Sequence, residues 1–305
     1  MGKVFYTAAL RKQALGMAIV AGMLSASGAQ AQNAAPTTYT LTGDWTLDGG
    51  EDYCRLSANF RNGDEQVSFA LERNRADSFA RLILVGAGIR PFRGSETLTW
   101  SFQPSGQSAA VPFVRSETAD GRPYFNLGQI SFAPAGPPLP VQPPYDRAAE
   151  QTFARSVTAI EVSEGLVNPV RIETGSMESP IQALQICTDD LLAYWGLDAA
   201  KHQTMSRRAA PAGPAFEWLA ADTIGFGDFA SLSGARNPIR VMIDPQGKPT
   251  ACAAHWQSLP ERKNTAICEQ LMANAHFEPA LDAQGNAMAS YWFAEPFMLM
   301  RPFGG

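Results

Sequence analysis

The stretch VSFAL places Val67, Phe69 and Leu71 on one side of an extended chain, and LTWSF repeats the pattern with Leu98, Trp100 and Phe102. A period of two does not fit a helix. It specifies strands with one face in a core. Within RLILVG, Leu82 to Val85 is a continuous apolar run, as expected of a strand buried on both faces. Further strand candidates lie at residues 109–114, 124–132, 157–163 and 167–173. Asn62-Gly63 and Asp120-Gly121 supply turns between them. Many short strands at this spacing predict an antiparallel sandwich or barrel. Residues 32–42 read as a flexible lead-in, with strand character beginning at Gly43.

Two features break the strand pattern. Residues 134–144, PAGPPLPVQPP, hold six prolines in 11 residues, which excludes a helix or a central strand and leaves an extended surface loop. A short helix at residues 146–155 follows it. Ser179-Pro180-Ile181-Gln182 then reads as a helix start: a serine cap, proline at the first helical position and a capping-box glutamine. Ile181, Leu184, Cys187, Leu191 and Trp195 share one face, and Gly196 ends a helix that closes this domain.

RRAAPAGPAF, residues 207–216, has the composition of a linker and divides a β-rich domain (32–206) from a smaller one (217–305). In the smaller domain an irregular helix is expected at 222–232. Ile239, Val241 and Ile243 alternate, Asp244-Pro245-Gln246-Gly247 turns, and residues 250–255 return. Ile267, Leu271 and Ala275 mark a helix at 264–275. Phe277-Glu278-Pro279-Ala280 ends it, 282–286 turns, and 290–300 forms a last strand. The order is α-β-β-α-β, so the whole chain belongs to the α+β class.

The N-terminus carries Lys3, Arg11 and Lys12, then an apolar stretch at 14–26 and Ala29-Gln30-Ala31. This is the layout of a cleavable signal peptide spanning residues 1–31, and the apolar run is too short for a transmembrane helix. The mature chain is then exported and does not span the membrane. A net charge of −5 argues against a nucleic-acid partner. Four cysteines in an exported chain, Cys54, Cys187, Cys252 and Cys268, imply disulfides, with three pairings open. A Cys54–Cys187 bridge would staple the closing helix to the opening strand. The cysteine spacing does not fit zinc, so no metal and no cofactor is expected.

Catalytic signals are sparse. The histidines are His202, His255 and His276, and no G-x-S-x-G elbow accompanies them. A hydrolase would need His202 to meet a serine or a carboxylate in a pocket. Gly86-Ala87-Gly88 lacks the third glycine of a dinucleotide loop, and Asp189-Asp190 point apart on a helix. No catalytic residue is assigned, and a non-enzyme is expected.

IRVMIDPQGKPTAC, CEQLMANAHFEPALDAQGNAMASYWF and the terminal FMLM resemble the C-terminal domain of TonB, the periplasmic transducer of Gram-negative bacteria. The matching positions are Asp244, Gly247, Phe277, Pro279, Ala280 and Gly285, over about a third of the chain. The resemblance supports a Cys252–Cys268 pairing, since some relatives carry a cysteine in the second strand and another in the helix. It also implies a transport-linked role in the cell envelope, with a protein or extended peptide, such as a segment of an outer-membrane receptor, added to the last strand. Ser290, Tyr291, Trp292 and Phe293 occupy that binding position. The chain departs from the family in its cleavable signal, its folded β-domain and HWQSLPERKN at residues 255–264, so energy coupling is not implied. The expected function is a periplasmic binding protein. The alternative is a structural or stress-related envelope protein that keeps the fold without binding peptide.

Overall fold

A computed structural model of the chain describes residues 35–133, 145–232 and 237–300. The signal-peptide reading at 1–31 and the proline-rich reading at 134–144 lie outside the described residues.

Ten strands build one sheet: β1 (Thr37–Gly49), β2 (Cys54–Asn62), β3 (Glu65–Arg73), β4 (Phe79–Val85), β5 (Thr97–Gln103), β6 (Ser108–Pro112), β7 (Val114–Glu117), β8 (Pro123–Ser131), β9 (Ala159–Glu164) and β10 (Val170–Glu173). Their spatial order is β6-β5-β9-β10-β1-β2-β3-β4-β8-β7. The β1–β10 pair is parallel and the others are antiparallel. The outermost strands, β6 and β7, are consecutive in the chain with Phe113 alone between them. The sheet therefore curls into a nearly closed barrel. The expected single strand at 109–114 is thus two strands on opposite sides of a seam. Phe113 packs against the core and contacts Phe125 at a ring distance of 6.2 Å.

The alternating residues point as their period requires. Leu56, Phe60, Val67, Phe69, Leu71, Leu98, Trp100 and Phe102 belong to one buried cluster inside the barrel. β4 is buried on both faces, as its unbroken apolar run requires. β1 begins at Thr37, not at Gly43. Tyr39 is fully buried and its hydroxyl donates to Glu65 at 2.8 Å, which holds the early residues in the sheet. Gly43 instead sits in a register shift between Thr42 and Thr46 with a left-handed φ of 82°.

Helices α1 (Arg147–Ser156) and α2 (Glu178–Tyr194) pack on this barrel. Asp146 caps α1 by accepting from the Ala149 amide at 2.9 Å. α2 starts one residue before the expected Ser179 cap. Fully buried Met177 takes the cap position, with its amide bonded to the Ala154 and Val157 carbonyls. Ser179 and Pro180 lie in the first turn instead. The helix buries Ile181, Leu184, Cys187 and Leu191, and a Cys54–Cys187 disulfide ties it to the start of β2. Arg73 and Glu150 form a fully buried ion pair, which Tyr145 and Gln185 complete with hydrogen bonds to the same carboxylate. Asp189 pairs with Arg147 at 2.6 Å.

The chain continues through α3 (Ala199–Thr204), β11 (Ala210–Pro211), a 3₁₀ turn at Ala215–Trp218, a second at Phe226–Asp228 and α4 (Phe229–Leu232). Then follow β12 (Ile239–Ile243), β13 (Pro249–Ala254), α5 (Glu261–Asn274), β14 (Phe277–Glu278), β15 (Ala280–Leu281), β16 (Ala287–Met288) and β17 (Ser290–Ala294). The main sheet of this half is β13-β12-β17, all antiparallel. Its core holds Trp218, Ile239, Val241, Ile243, Ile267, Leu271, Phe277 and Trp292. A Cys252–Cys268 disulfide pins α5 to β13. The segment at 207–216 is stitched to this half: β11 pairs with β14, and the Ala212 amide bonds the His276 carbonyl at 2.9 Å. The last strand stops at Ala294, short of residue 300. Pro296, which has no amide donor, opens a 3₁₀ turn at Pro296–Leu299.

The described residues form one compact unit. The two cores meet through aromatic and charged contacts. The Arg240 guanidinium lies 3.8 Å over the Trp195 ring, and that of Arg81 lies 3.8 Å over Trp256. Trp256 holds a left-handed φ of 42°, an uncommon backbone for a bulky residue.

Candidate functional site

β17 pairs with β12 along one edge, from Ile239 opposite Ala294 to Ile243 opposite Ser290. Its other edge has no backbone partner among the described residues. A cleft of about 460 Å³ opens there, lined by all four expected residues, Ser290, Tyr291, Trp292 and Phe293. Met205 and residues 208–211 contribute one part of the lining. Arg75, Asp77, Phe79 and Gln129 come from the barrel, and Glu295 and Met298 come from beyond β17.

The strand's alternation decides what its side chains can do. Trp292 points into the second core, with ring distances of 5.8 Å to Trp218 and 5.4 Å to Phe277. Tyr291 and Phe293 point the other way, to Trp195 at 5.6 and 6.4 Å. The Tyr291 hydroxyl accepts from the Ala76 amide at 3.0 Å. Ser290, Trp292 and Phe293 are all buried. The side chains thus hold β17 in place, and what the strand presents to the cleft is largely backbone.

Ser290 also meets His202. Its Oγ lies 3.1 Å from His202 Nε2, while Nδ1 faces the Asp198 carbonyl oxygen at 2.8 Å. Burial, reinforced by the nearby Arg208 charge, lowers the His202 pKa. The Asp198 carboxylate caps the Lys201 amide at 3.1 Å instead of meeting the imidazole.

The charges in the cleft are unevenly matched. Arg75 pairs with Asp77 at 2.6 Å and approaches Glu295 at 4.0 Å. Gln129 donates to Glu295 at 2.8 Å, and burial raises the Glu295 pKa. Arg207, which is not part of this lining, pairs with Glu278 at 3.3 Å. Arg208 has no hydrogen-bond or ion-pair partner among the described residues, and its Nε is buried.

A second groove, about 870 Å³, runs along the Cys252–Cys268 disulfide between β13 and α5, with Asp52, Glu261 and Glu269 on its lining. His255 is buried among Trp195, Phe293 and Arg240, and neither ring nitrogen has a hydrogen-bond partner among the described residues. Burial first, then the Arg240 charge, lowers its pKa to about 4. No group of three metal-ligating side chains occurs among the described residues, and no helix there is long and apolar enough to cross a membrane.

Sequence reasoning located the strand and missed the groups around it. Arg75 and Arg208 sit in polar, turn-like stretches, RNRADS and SRRAAP, and only the fold brings them to β17. A scan against protein-family models, a search of curated proteins and a search of solved structures each return no match.

Proposed function

We propose that this chain is an exported, periplasmic, non-enzymatic binding protein that takes an extended peptide or a partner's strand onto the outer edge of β17. The reading rests on one observation: a strand with an unpaired backbone edge borders a cleft with room for another chain. Adding a strand satisfies that row of amides and carbonyls, and side-chain pockets then select the sequence. The resemblance of the second half to the TonB C-terminal domain points the same way, toward an outer-membrane receptor segment as partner. The barrel half has its own role here, because Arg75, Asp77 and Gln129 belong to the cleft lining.

The test is a titration of the isotope-labelled, oxidised mature chain with N-terminal peptides of outer-membrane receptors, followed by NMR. Amide shifts centred on Ser290, Tyr291, Trp292 and Phe293 support the reading. Their absence at millimolar peptide overturns it. That outcome favours a structural envelope protein in which β17 serves only to join the two cores. The burial of Trp292 and Phe293, each 8% exposed, is the observation behind this second reading.

A further inference from the structure

We propose that the cleft recognises the free C-terminal carboxylate of the extended peptide, with Arg208 as the residue that binds it. This rests on the reading of β17 as a docking edge and adds the chemical class of the ligand.

The charges in the cleft carry the argument. Arg75 is neutralised by Asp77 and lies near Glu295, and Glu295 also accepts from Gln129. Arg208 has no ion partner among the described residues, and its Nε is a buried donor without an acceptor. Arg73, Arg81, Arg207 and Arg240 also bury an Nε without an acceptor, but each of them has an ion partner, which Arg208 lacks among the described residues. A guanidinium presents paired donors that match a carboxylate in a planar, two-point contact.

Strand polarity supplies the second argument. Arg208 lies near the start of β17: its neighbour Arg207 bridges Leu281, and β15 pairs Ala280 with Met288, two residues before Ser290. Glu295 follows the end of the strand at Ala294, with Arg75 beside it and Asp77 paired to Arg75. A peptide added antiparallel to β17 ends its chain at the Ser290 end and begins it at the Glu295 end. Its terminal carboxylate then falls toward Arg208 and its positive amino end toward the acidic groups. An internal segment, one from a receptor's N-terminal region included, or an amidated end would leave Arg208 unmatched, so on this proposal the ligand of the β17 edge is a chain end.

The experiment uses the oxidised mature chain and a random decapeptide mixture with free C-termini. Retained peptides are resynthesised as acids and as C-terminal amides, and their affinities are measured by calorimetry. The acid is expected to bind roughly ten- to a hundredfold more tightly than its amide, the range of a charge-assisted contact. Arg208→Gln should remove that difference, and Arg208→Lys should restore part of it. Circular dichroism confirms that each variant folds. Acid and amide binding equally at β17 would overturn the carboxylate proposal and leave the docking edge standing. No retained peptide, or retained peptides whose amide shifts avoid β17, would overturn both.

Discussion

His202 Nε2 sits 3.1 Å from Ser290 Oγ, joining an imidazole on α3 to the first residue of the strand that borders the cleft. The Asp198 carbonyl engages Nδ1, so Nε2 is left as the acceptor and the serine hydroxyl as the donor. A serine protease places these two atoms the same way, but there the second ring nitrogen meets a carboxylate. In this chain it meets a backbone oxygen. The non-enzymatic reading predicts that a fluorophosphonate probe leaves Ser290 unmodified by intact-mass analysis. An adduct that disappears in Ser290→Ala would sink that reading. The same substitution should cost about 1–2 kcal/mol in urea unfolding, because it strands a buried ring nitrogen.

His255 predicts an acid-sensitive fold. Its pKa is lowered from 6.5 to about 4, so the unfolded chain binds the extra proton first as pH falls. The stabilisation is complete above about 6.5, declines through the interval and is fully lost below about 4. The loss is on the order of 3 kcal/mol. The charged groups facing the ring are Arg240 and Asp52. Chemical denaturation between pH 7 and pH 4 should show this slope, and His255→Phe should flatten it. An unchanged slope in the variant would assign the acid sensitivity elsewhere.

Gly247 and Gly285 share left-handed backbones, with φ of 81° and 83°, yet should respond differently to alanine. A Cβ on Gly247 would lie 2.0 Å from the Phe277 carbonyl oxygen, and the Phe277 amide bonds the Gly247 carbonyl at 3.0 Å. A Cβ on Gly285 would meet nothing within 4 Å. Gly285→Ala should cost about 1 kcal/mol, the strain of the backbone alone. Gly247→Ala should cost about 2–3 kcal/mol, since two backbone segments must separate. Equal losses in thermal unfolding would contradict the close approach.

The two disulfides should differ in worth. Cys54–Cys187 spans 133 residues and Cys252–Cys268 spans 16. Loop-closure entropy assigns about 5 kcal/mol to the first and about 3 kcal/mol to the second. Paired serine replacements at each bridge, compared by denaturant midpoint, should rank in that order. The reverse order would mean that strain or residual structure outweighs chain entropy.

The parts of the fold legible in the sequence were those written in local period. Val67, Phe69 and Leu71 announced their strand, and Ile181, Leu184, Cys187 and Leu191 announced the buried face of α2. The missed parts depended on distant partners. Nothing local says that Phe113 crosses from one edge of the sheet to the other, or that Tyr39 anchors β1 before Gly43. The site follows the same rule. Ser290, Tyr291, Trp292 and Phe293 read correctly as a strand, but Tyr291 finds its hydrogen bond at Ala76, 215 residues away. Arg75 and Arg208 reach the cleft, and His202 reaches Ser290, through tertiary packing, which leaves no periodic trace.

The seam at Phe113 has a bearing on how the molecule meets copies of itself. Open sheet edges invite neighbouring molecules to stack into fibrils. By folding β6 and β7 back toward one another, the larger sheet withdraws its two ends from that traffic. The smaller sheet keeps β13 and β17 as its borders, and the β17 border lies in a recess of about 460 Å³. The larger sheet thus offers little open edge to a neighbouring copy, and the borders of the smaller sheet, β13 and β17, are where another strand could add.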